Sequence, residues 1–371
     1  MWNIWKEEAC KILSRRLIWI GLFVLAAFLT LRLVTEQGHY SASIDGNTYF
    51  GQEALEKDKQ LAAQYAGILT EETVHRIYEN FGFAYYNEKN ILTGNFCSRF
   101  ITEKMTDFNQ SEGNDPDSIH FLEGDSWKQY TEPYLDGSVW FDYAYGWNDL
   151  KEMVPFMAAG LFVLFIIGLS PVFSEEYSCK TADILLTTSR GKKSCIFLKM
   201  LAALSVTGVL YVLSAGYLWI LYLATFGTQG LDASSVLIGI PAGGFTPDSI
   251  GGFFIYAFVL GLASLVLLCC MTLAVSALNR NAFAAVILST VLFFAPFAWT
   301  RIGIATLAPL LGLHLTKAVT YLACSMPFLL SMQWGFAFTR SQELIQFAIA
   351  LAAGCICTGL AYYRFRNYQG L

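Results

Sequence analysis

Six long apolar segments constrain the fold of this chain more than any other feature. Apart from Arg32 near the end of the first, they contain no Asp, Glu, Lys or Arg, and they cover residues 17–34, 153–173, 200–226, 251–278, 283–300 and 344–363. At 1.5 Å per residue, the shortest would extend roughly 27 Å as a helix, about the thickness of a bilayer core. We therefore predict a mainly α-helical, polytopic membrane protein with six transmembrane helices.

Most of the acidic residues lie in one insert between the first two apolar segments. Residues 35–149 contain 20 of the 29 acidic residues and 7 of the 24 basic ones, a net charge of −13. We predict an extracytoplasmic domain here, inserted between helices 1 and 2. Helices are expected at 51–67, from a cap at Thr70 to Asn80, and at 98–109, so the domain is α-rich, with an α+β fold as the alternative. The acidic balance argues against a nucleic-acid partner.

The basic residues predict the orientation of the chain in the membrane. Six crossings place both termini on one side, with segments 1–16, 174–199, 279–282 and 364–371. These segments hold 12 Lys and Arg, whereas 227–250 and 301–343 on the opposite side hold 3. Because short loops rich in Lys and Arg stay in the cytoplasm, we predict cytoplasmic termini, a cytoplasmic tail at 364–371 and an external domain at 35–149.

One further stretch, 318–338, is apolar but is interrupted by Pro327. If it crossed the membrane, Arg364 and Arg366 would lie outside, against the charge bias. We therefore predict that 301–343 faces outward and contains a re-entrant or interfacial helix.

The first 16 residues carry apolar side chains at helical spacing, namely Trp2, Trp5, Ala9, Ile12 and Leu13. An amphipathic helix of this kind would lie along the cytoplasmic membrane surface. The alternative is a leader that only anchors the first span.

Aromatic residues are concentrated at the end of the polar insert. The set comprises Tyr134, Trp140, Phe141, Tyr143, Tyr145 and Trp147. These side chains could line an outer ligand-binding surface. The alternative is that they form the core of a small domain and its belt at the membrane.

The chain lacks the motifs of a catalytic protein. It contains no HExxH, GxSxG or GxGxxG, and the segment beginning at Arg190 lacks the upstream glycine of a Walker A motif. The four histidines are scattered, and the loop around Asp115, Asp117 and Asp125 lacks the Gly and Glu positions of an EF-hand. We predict no enzymatic activity, no metal site and no cofactor in this chain.

The segment 174–199 combines acids, an apolar stretch and bases. Glu175 and Glu176 precede Asp183, Leu185 and Leu186, and a basic cluster follows. A short helix beneath the membrane that presents a mixed surface to a soluble partner fits this pattern. The alternative is an ordinary basic loop that only fixes the topology.

These residues also carry a family resemblance. Phe173, the pair Glu176-Tyr177, Thr181, the pair Leu185-Leu186 and the turn Arg190-Gly191-Lys192 resemble the first cytoplasmic loop of ABC-2 type permeases. YAGILTEE at 65–72 and GWNDL at 146–150 are similar to Gram-positive members with large outer domains. Lys180 and Ser189 depart from this pattern, because the family commonly has glycine and proline there.

The resemblance implies a transport subunit of a bacterial plasma membrane. A coupling helix would contact a separate ATP-binding-cassette ATPase, which holds ATP and Mg, through Glu175, Glu176, Tyr177, Thr181, Asp183, Leu185, Leu186 and Arg190. A second permease half, either a copy or a relative, would complete the transporter within the lipid bilayer. Its expected activity is export of a hydrophobic or amphipathic compound or peptide. The alternative is a non-transporting sensor or immunity protein whose outer domain binds an antimicrobial peptide or a cell-wall precursor.

Overall fold

The computed structural model describes residues 2–87, 91–108, 116–187, 194–241 and 243–368. The chain is mainly helical. Its helices in chain order are α1 (Trp2–Leu13), α2 (Arg16–His39), α3 (Gly51–Ala63), α4 (Glu71–Phe81), α5 (Phe96–Met105), α6 (Gly124–Tyr130), α7 (Glu132–Leu135), α8 (Tyr145–Leu169), α9 (Pro171–Ser178), α10 (Thr181–Thr187), α11 (Ile196–Phe226), α12 (Ile250–Leu278), α13 (Ala282–Ala298), α14 (Ile304–Cys324), α15 (Pro327–Ser331) and α16 (Arg340–Arg366). Strands β1 (Ser41–Ile44) and β2 (Asn47–Phe50) form one antiparallel pair, and β3 (Gly67–Ile68) and β4 (Trp140–Phe141) form another.

The prediction of six membrane-spanning helices is confirmed by length and composition. The six candidates among the described residues are Arg16–His39, Tyr145–Ser178, Ile196–Phe226, Ile250–Leu278, Ala282–Thr306 and Arg340–Arg366. The α12 helix is the most enclosed: 67% of the residues in its most apolar 18-residue stretch are buried, against 17% in α2 and in α16. Helices α8, α11, α13 and α16 all pack on α12, so α12 forms the centre of the bundle and α2 and α16 lie at its edge.

At one end of the bundle, the segments predicted to be cytoplasmic contact one another. The Tyr177 hydroxyl donates to the Ala277 carbonyl at 3.0 Å, and its ring lies 4.5 Å from that of Tyr368 near the C-terminus. Lys199 at the start of α11 pairs with Glu8 of α1. The two ends of the chain therefore lie at the same end of the bundle.

At the other end, the polar insert contacts the two loops predicted to share its side. The indole N–H of Trp147 donates to the Gln229 carbonyl at 2.6 Å, and the Trp140 backbone N–H donates to Ser234 Oγ at 2.8 Å. Arg340 Nε donates to the Gly244 carbonyl at 2.8 Å. These contacts link all three segments. Which end faces the cytoplasm stays a prediction.

The polar insert forms helices near the predicted positions. The Thr70 side chain caps α4 by accepting from the Thr73 N–H at 3.2 Å, as predicted. The first helix ends at Ala63 rather than 67, and the third spans Phe96–Met105. Residues 41–50, which the sequence did not predict to be ordered as strands, form a β-hairpin. Its turn is Asp45-Gly46, whose φ values of 51° and 76° match the preference of Asp-Gly for a primed turn.

A buried carboxylate organises the core of the polar insert. Asp58 of α3 accepts from the Phe96 N–H at 2.9 Å and from the Tyr40 hydroxyl. Burial raises the pKa of Asp58, and the hydrogen bonds from Tyr40 and Phe96 offset that rise only in part. The carboxylate thus links the end of α2 to the start of α5, because one of its donors is Tyr40, directly after α2, and the other is Phe96, the first residue of α5.

The segment predicted to be re-entrant folds back on itself. Gly312 interrupts α14 with a φ of 72° and a ψ of 164°. Trp299 Nε1 donates to Thr320 Oγ1 at 3.1 Å, whereas a straight helix would separate these residues by roughly 31 Å. The chain therefore reverses near Gly312. Its position relative to the lipid stays a prediction.

Two glycines with positive φ provide a matched test of the junction between the insert and the bundle. A Cβ at Gly230 (φ 80°) would lie 2.0 Å from the Tyr143 carbonyl oxygen, whereas one at Gly137 (φ 86°) meets nothing within 4 Å. We expect Gly137→Ala to cost about 1 kcal/mol of unfolding free energy from its backbone conformation alone. Gly230→Ala should cost about 2–4 kcal/mol because a clash is added. Urea unfolding of the purified variants in detergent measures both, and equal losses would contradict the close approach.

Candidate functional site

The segment predicted to contact a partner begins where α8 breaks. Pro171 has no N–H to continue the helical hydrogen bonds of α8. The Ser276 hydroxyl of α12 instead makes hydrogen bonds with the backbone on both sides of Pro171. Ser276 Oγ accepts from the N–H groups of Phe173 at 3.0 Å and Ser174 at 3.2 Å and donates to the Ser170 carbonyl at 2.5 Å. This serine fixes the direction in which α9 leaves the bundle.

A second turn separates α9 from α10. Lys180 lies between them with a φ of 57°, a left-handed conformation that favours glycine. The ABC-2 resemblance places a glycine at this position. The structure therefore retains the bend that the family residue would allow, although a lysine occupies it at some backbone cost.

Beneath α9, a lysine is enclosed by two carboxylates. Lys199 is only 2% exposed, and its Nζ lies 2.6 Å from Glu8 Oε2 and 2.5 Å from Glu176 Oε1. Lys11 lies outside this group, 2.9 Å from Glu8 and 3.9 Å from Glu176. The Lys199 network, defined as Glu8, Lys11, Glu176 and Lys199, ties α1, α9 and α11 together.

The network changes the titration of Glu8. Burial alone would raise the pKa of this carboxyl, but the nearby Lys199 and Lys11 ammonium groups outweigh burial and lower it. Glu8 is therefore held ionised, and α1 docks on α11 through a charged contact as well as through Ala9 and Ile12, both of which are buried.

Three of the residues predicted to contact a partner instead make contacts within this chain. Glu176 belongs to the Lys199 network, Tyr177 packs on Phe365 at 5.5 Å, and Leu186 is buried. Their side chains hold the loop in place and leave little surface for another protein. Leu185 is half-buried.

The surface left for a partner is smaller and lies mainly on α10. Thr181 is exposed and donates to the Glu176 carbonyl at 3.3 Å, and Ile184 is 71% exposed. Glu175 is exposed and pairs with Arg15 at 3.0 Å. The side chain of Asp183 and the whole of Arg190 lie outside what the structure describes.

Ile184 was not among the predicted contacts, although the sequence carries a signal for it. Leu186 faces inward, and a residue two positions away on a helix points to a different side. A single exposed isoleucine is normal on a protein surface, so Ile184 is a candidate contact only because it lies on the loop that resembles the first cytoplasmic loop of ABC-2 permeases. We define the α10 face as Thr181, Ile184 and Leu185.

A cavity lies between this loop and the N-terminal helix. It has a volume of about 390 Å³ and includes Arg15, Glu175, Cys179 and Thr181 among its lining residues. Glu176 also reaches it, and its Oε2 atom has no hydrogen-bond partner among the described residues.

The aromatic residues of the polar insert are mostly interior. Phe141, Tyr143 and Trp147 are buried, Tyr134 and Tyr145 are half-buried, and Trp140 is 45% exposed. The ring of Trp147 lies 5.9 Å from Trp219 and 6.0 Å from Phe254 of the bundle. The buried members cannot line an outer ligand surface. Their contacts are those of a domain core and its attachment to the membrane helices.

The described residues contain no group of three or more His, Cys, Asp or Glu side chains that could hold a metal ion. Asp115, one of the acids considered for a calcium loop, falls in the undescribed stretch 109–115.

The fold and this loop define a polytopic membrane protein with a short helix displayed at one end of its bundle. A family model described as ABC-2 family transporter protein matches residues 2–368. The chain belongs to the ABC-2 family of transporter membrane proteins. No curated protein and no solved structure gave a significant match.

The contribution of the buried Lys199 to stability can be compared with that of the exposed Lys11. Lys199→Met would leave Glu8 and Glu176 buried without their counter-charge, which we expect to cost about 3–5 kcal/mol of unfolding free energy. Lys11→Met should cost less than about 1 kcal/mol because exposed ion pairs contribute little, and its side chain is 60% exposed. Urea unfolding in detergent distinguishes them, and similar losses would refute the network's role.

The lowered pKa of Glu8 predicts an acid-dependent contribution to stability. A carboxyl whose pKa is lower in the folded state contributes its full stabilisation above its unfolded pKa, which is 4.5 for a glutamate. That stabilisation is lost as the pH falls through the folded pKa. The melting temperature should therefore fall below pH 4.5 more steeply in the wild type than in Glu8→Gln. Parallel pH profiles of the two proteins would show that Glu8 is not stabilised by its lysines.

Proposed function

We propose that this chain is the permease subunit of an ATP-binding-cassette exporter in a bacterial plasma membrane. Its cargo is a hydrophobic or amphipathic compound or peptide, and a separate ATPase subunit holds ATP and Mg. The observation that carries the proposal is the α10 face, an exposed apolar surface on a short helix that a buried ionic network holds at the end of the bundle.

In this proposal α10 is the coupling helix. A ligand can shift a conformational equilibrium only by binding the two states with different affinity. The two nucleotide states of the ATPase must therefore bind the α10 face differently. Glu176 lies four residues upstream of the Lys180 turn and is paired with Lys199. A displacement of α10 would thus act on α1 and α11 through the ion pairs of α9, namely Glu176 with Lys199 and Lys11, and Glu175 with Arg15.

The charge bias and the contacts within each end of the bundle support the proposed orientation. The cluster that contains α1, α10 and the C-terminus carries the larger share of Lys and Arg, 12 against 3, which favours the cytoplasm. The polar insert then lies outside, where its acidic surface keeps it hydrated. Both assignments support an ATPase contact at α10, because ATP is cytoplasmic.

A second permease half completes the proposed transporter. The edge helices α2 and α16 expose large apolar side chains, among them Phe23, Leu31, Leu351 and Ile356. Such surfaces are covered by lipid or by another apolar protein surface. A copy of this chain or a related permease would cover part of them, and the bilayer would cover the rest.

Ile184 and Leu186 allow partner binding to be separated from folding. Ile184→Ala removes exposed apolar surface, so we expect ATPase retention in detergent to weaken about tenfold while chain stability is unchanged. Leu186→Ala creates a cavity instead and should cost about 2–3 kcal/mol of unfolding free energy. Co-purification and urea unfolding are measured on the same preparations.

Two outcomes would count against the proposal. If Ile184→Ala retained the ATPase as well as the wild type, α10 would not be the contact. If no ATPase accompanied the wild-type chain in mild detergent, a non-transporting sensor would be the better description.

A further inference from the structure

A second cavity lies where the polar insert meets the bundle. It has a volume of about 380 Å³ and is bounded by α5, the first turns of α8 and the loop that contains Ile238. Lys151, one of its lining residues, lies two positions before the apolar segment that begins at 153. The cavity is therefore level with one surface of the membrane, whichever side that surface faces.

Three cationic side chains line this cavity: Arg99, Lys104 and Lys151. Each is half-buried, and none has a carboxylate within 4.0 Å among the described residues. This is unusual in an insert with a net charge of −13. Asp58 and Glu152 act on Arg99 and Lys151 only from a distance, and none of the three cations makes a direct ion pair with a described residue that would offset its burial.

Neutral acceptors hold two of the cations in place. Lys151 Nζ donates to Asn148 Oδ1 at 2.9 Å and to the Ile238 carbonyl at 2.6 Å. An ammonium has three donors, so one remains for a ligand. Arg99 donates through Nε to the Thr93 carbonyl at 3.1 Å and through Nη2 to the Leu92 carbonyl at 2.8 Å. These bonds orient the charges but do not neutralise them.

Two acidic residues, Glu103 and Glu152, also line the cavity. Both are exposed, whereas the three cations are half-buried. Three positive and two negative side chains give the lining a net charge of +1, with the positive groups on the more enclosed side. The interior of the cavity therefore favours an anion.

The remaining walls are apolar or aromatic. Phe96, Phe100, Tyr40 and Tyr145 line the cavity, and the Arg99 guanidinium lies 5.8 Å from the centre of the Tyr40 ring. The charged groups suit an anion, and the apolar walls add burial when that anionic group is attached to an apolar body.

We propose that this cavity binds a phosphate group at the membrane surface. Phosphate offers several charged acceptor oxygens and can accept from Arg99, Lys104 and Lys151 together, which a single carboxylate does less well. The source is either a lipid headgroup or free phosphate. The proposal does not depend on transport or on an ATPase partner, because binding requires only this chain.

The test uses the full purified chain in detergent and an acyl-labelled phosphatidylglycerol as the probe. We expect saturable binding in the wild type. Lys104→Gln combined with Lys151→Gln should weaken it about tenfold or more, since each charge-assisted hydrogen bond removed is a substantial loss. Lys128→Gln controls for the loss of a positive charge as such, because it removes one lysine charge from an exposed position on α6 that does not line the cavity.

Competitors identify the source of the phosphate. Displacement of the probe by inorganic phosphate indicates free phosphate, whereas displacement only by unlabelled phosphatidylglycerol indicates a lipid headgroup, and both support the site. An unchanged affinity in the double variant overturns the proposal, as does equal weakening by Lys128→Gln. Urea unfolding of the double Gln variant shows whether it is folded. The variant Lys104→Arg with Lys151→Arg keeps both positive charges and should bind the probe, unlike the double Gln variant.

Discussion

The ion pairs that Lys199 makes with Glu8 and Glu176 determine how the end of the bundle that contains both termini is assembled. Burying a charged lysine is costly, and nearby carboxylates offset that cost; the two partners of Lys199 come from α1 and α9. The N-terminal helix, the loop after α8 and the start of α11 are therefore fixed relative to one another. The α10 face is displayed at the edge of this assembly, where the Lys199 network, Ser276 and the buried Leu186 hold it.

The bundle connects this end to the polar insert through α12. Ser276 near the end of α12 supports the break between α8 and α9, while Phe254 in its first turns packs on Trp147 at the base of the insert. Tightly packed helices transmit displacement because they have little free volume. The α12 helix thus contacts both the start of α9 and the junction with the insert, where the cationic cavity also lies.

The sequence predicted the six spans, the polar insert and the Thr70 cap, because these depend on local composition and on helix-terminal chemistry. It did not predict the hairpin at Asp45-Gly46, although the turn signal is present. The interior position of Glu176 could not be read from the sequence, since its partner Lys199 is 23 residues away and Glu8 lies at the N-terminus. An exposed and a buried glutamate look alike until tertiary contacts are known.

Sidedness is the claim on which the account of α10 depends, and thiol labelling tests it directly. Cys10 and Cys179 are exposed near the Lys199 network, and Ser126→Cys would place a thiol on the exposed surface of the insert. With a membrane-impermeant maleimide, intact cells should label only Ser126→Cys, and inside-out vesicles should label Cys10 and Cys179. Labelling of Cys10 or Cys179 in intact cells would contradict the account, because the α10 face would then be beyond the reach of a cytoplasmic ATPase.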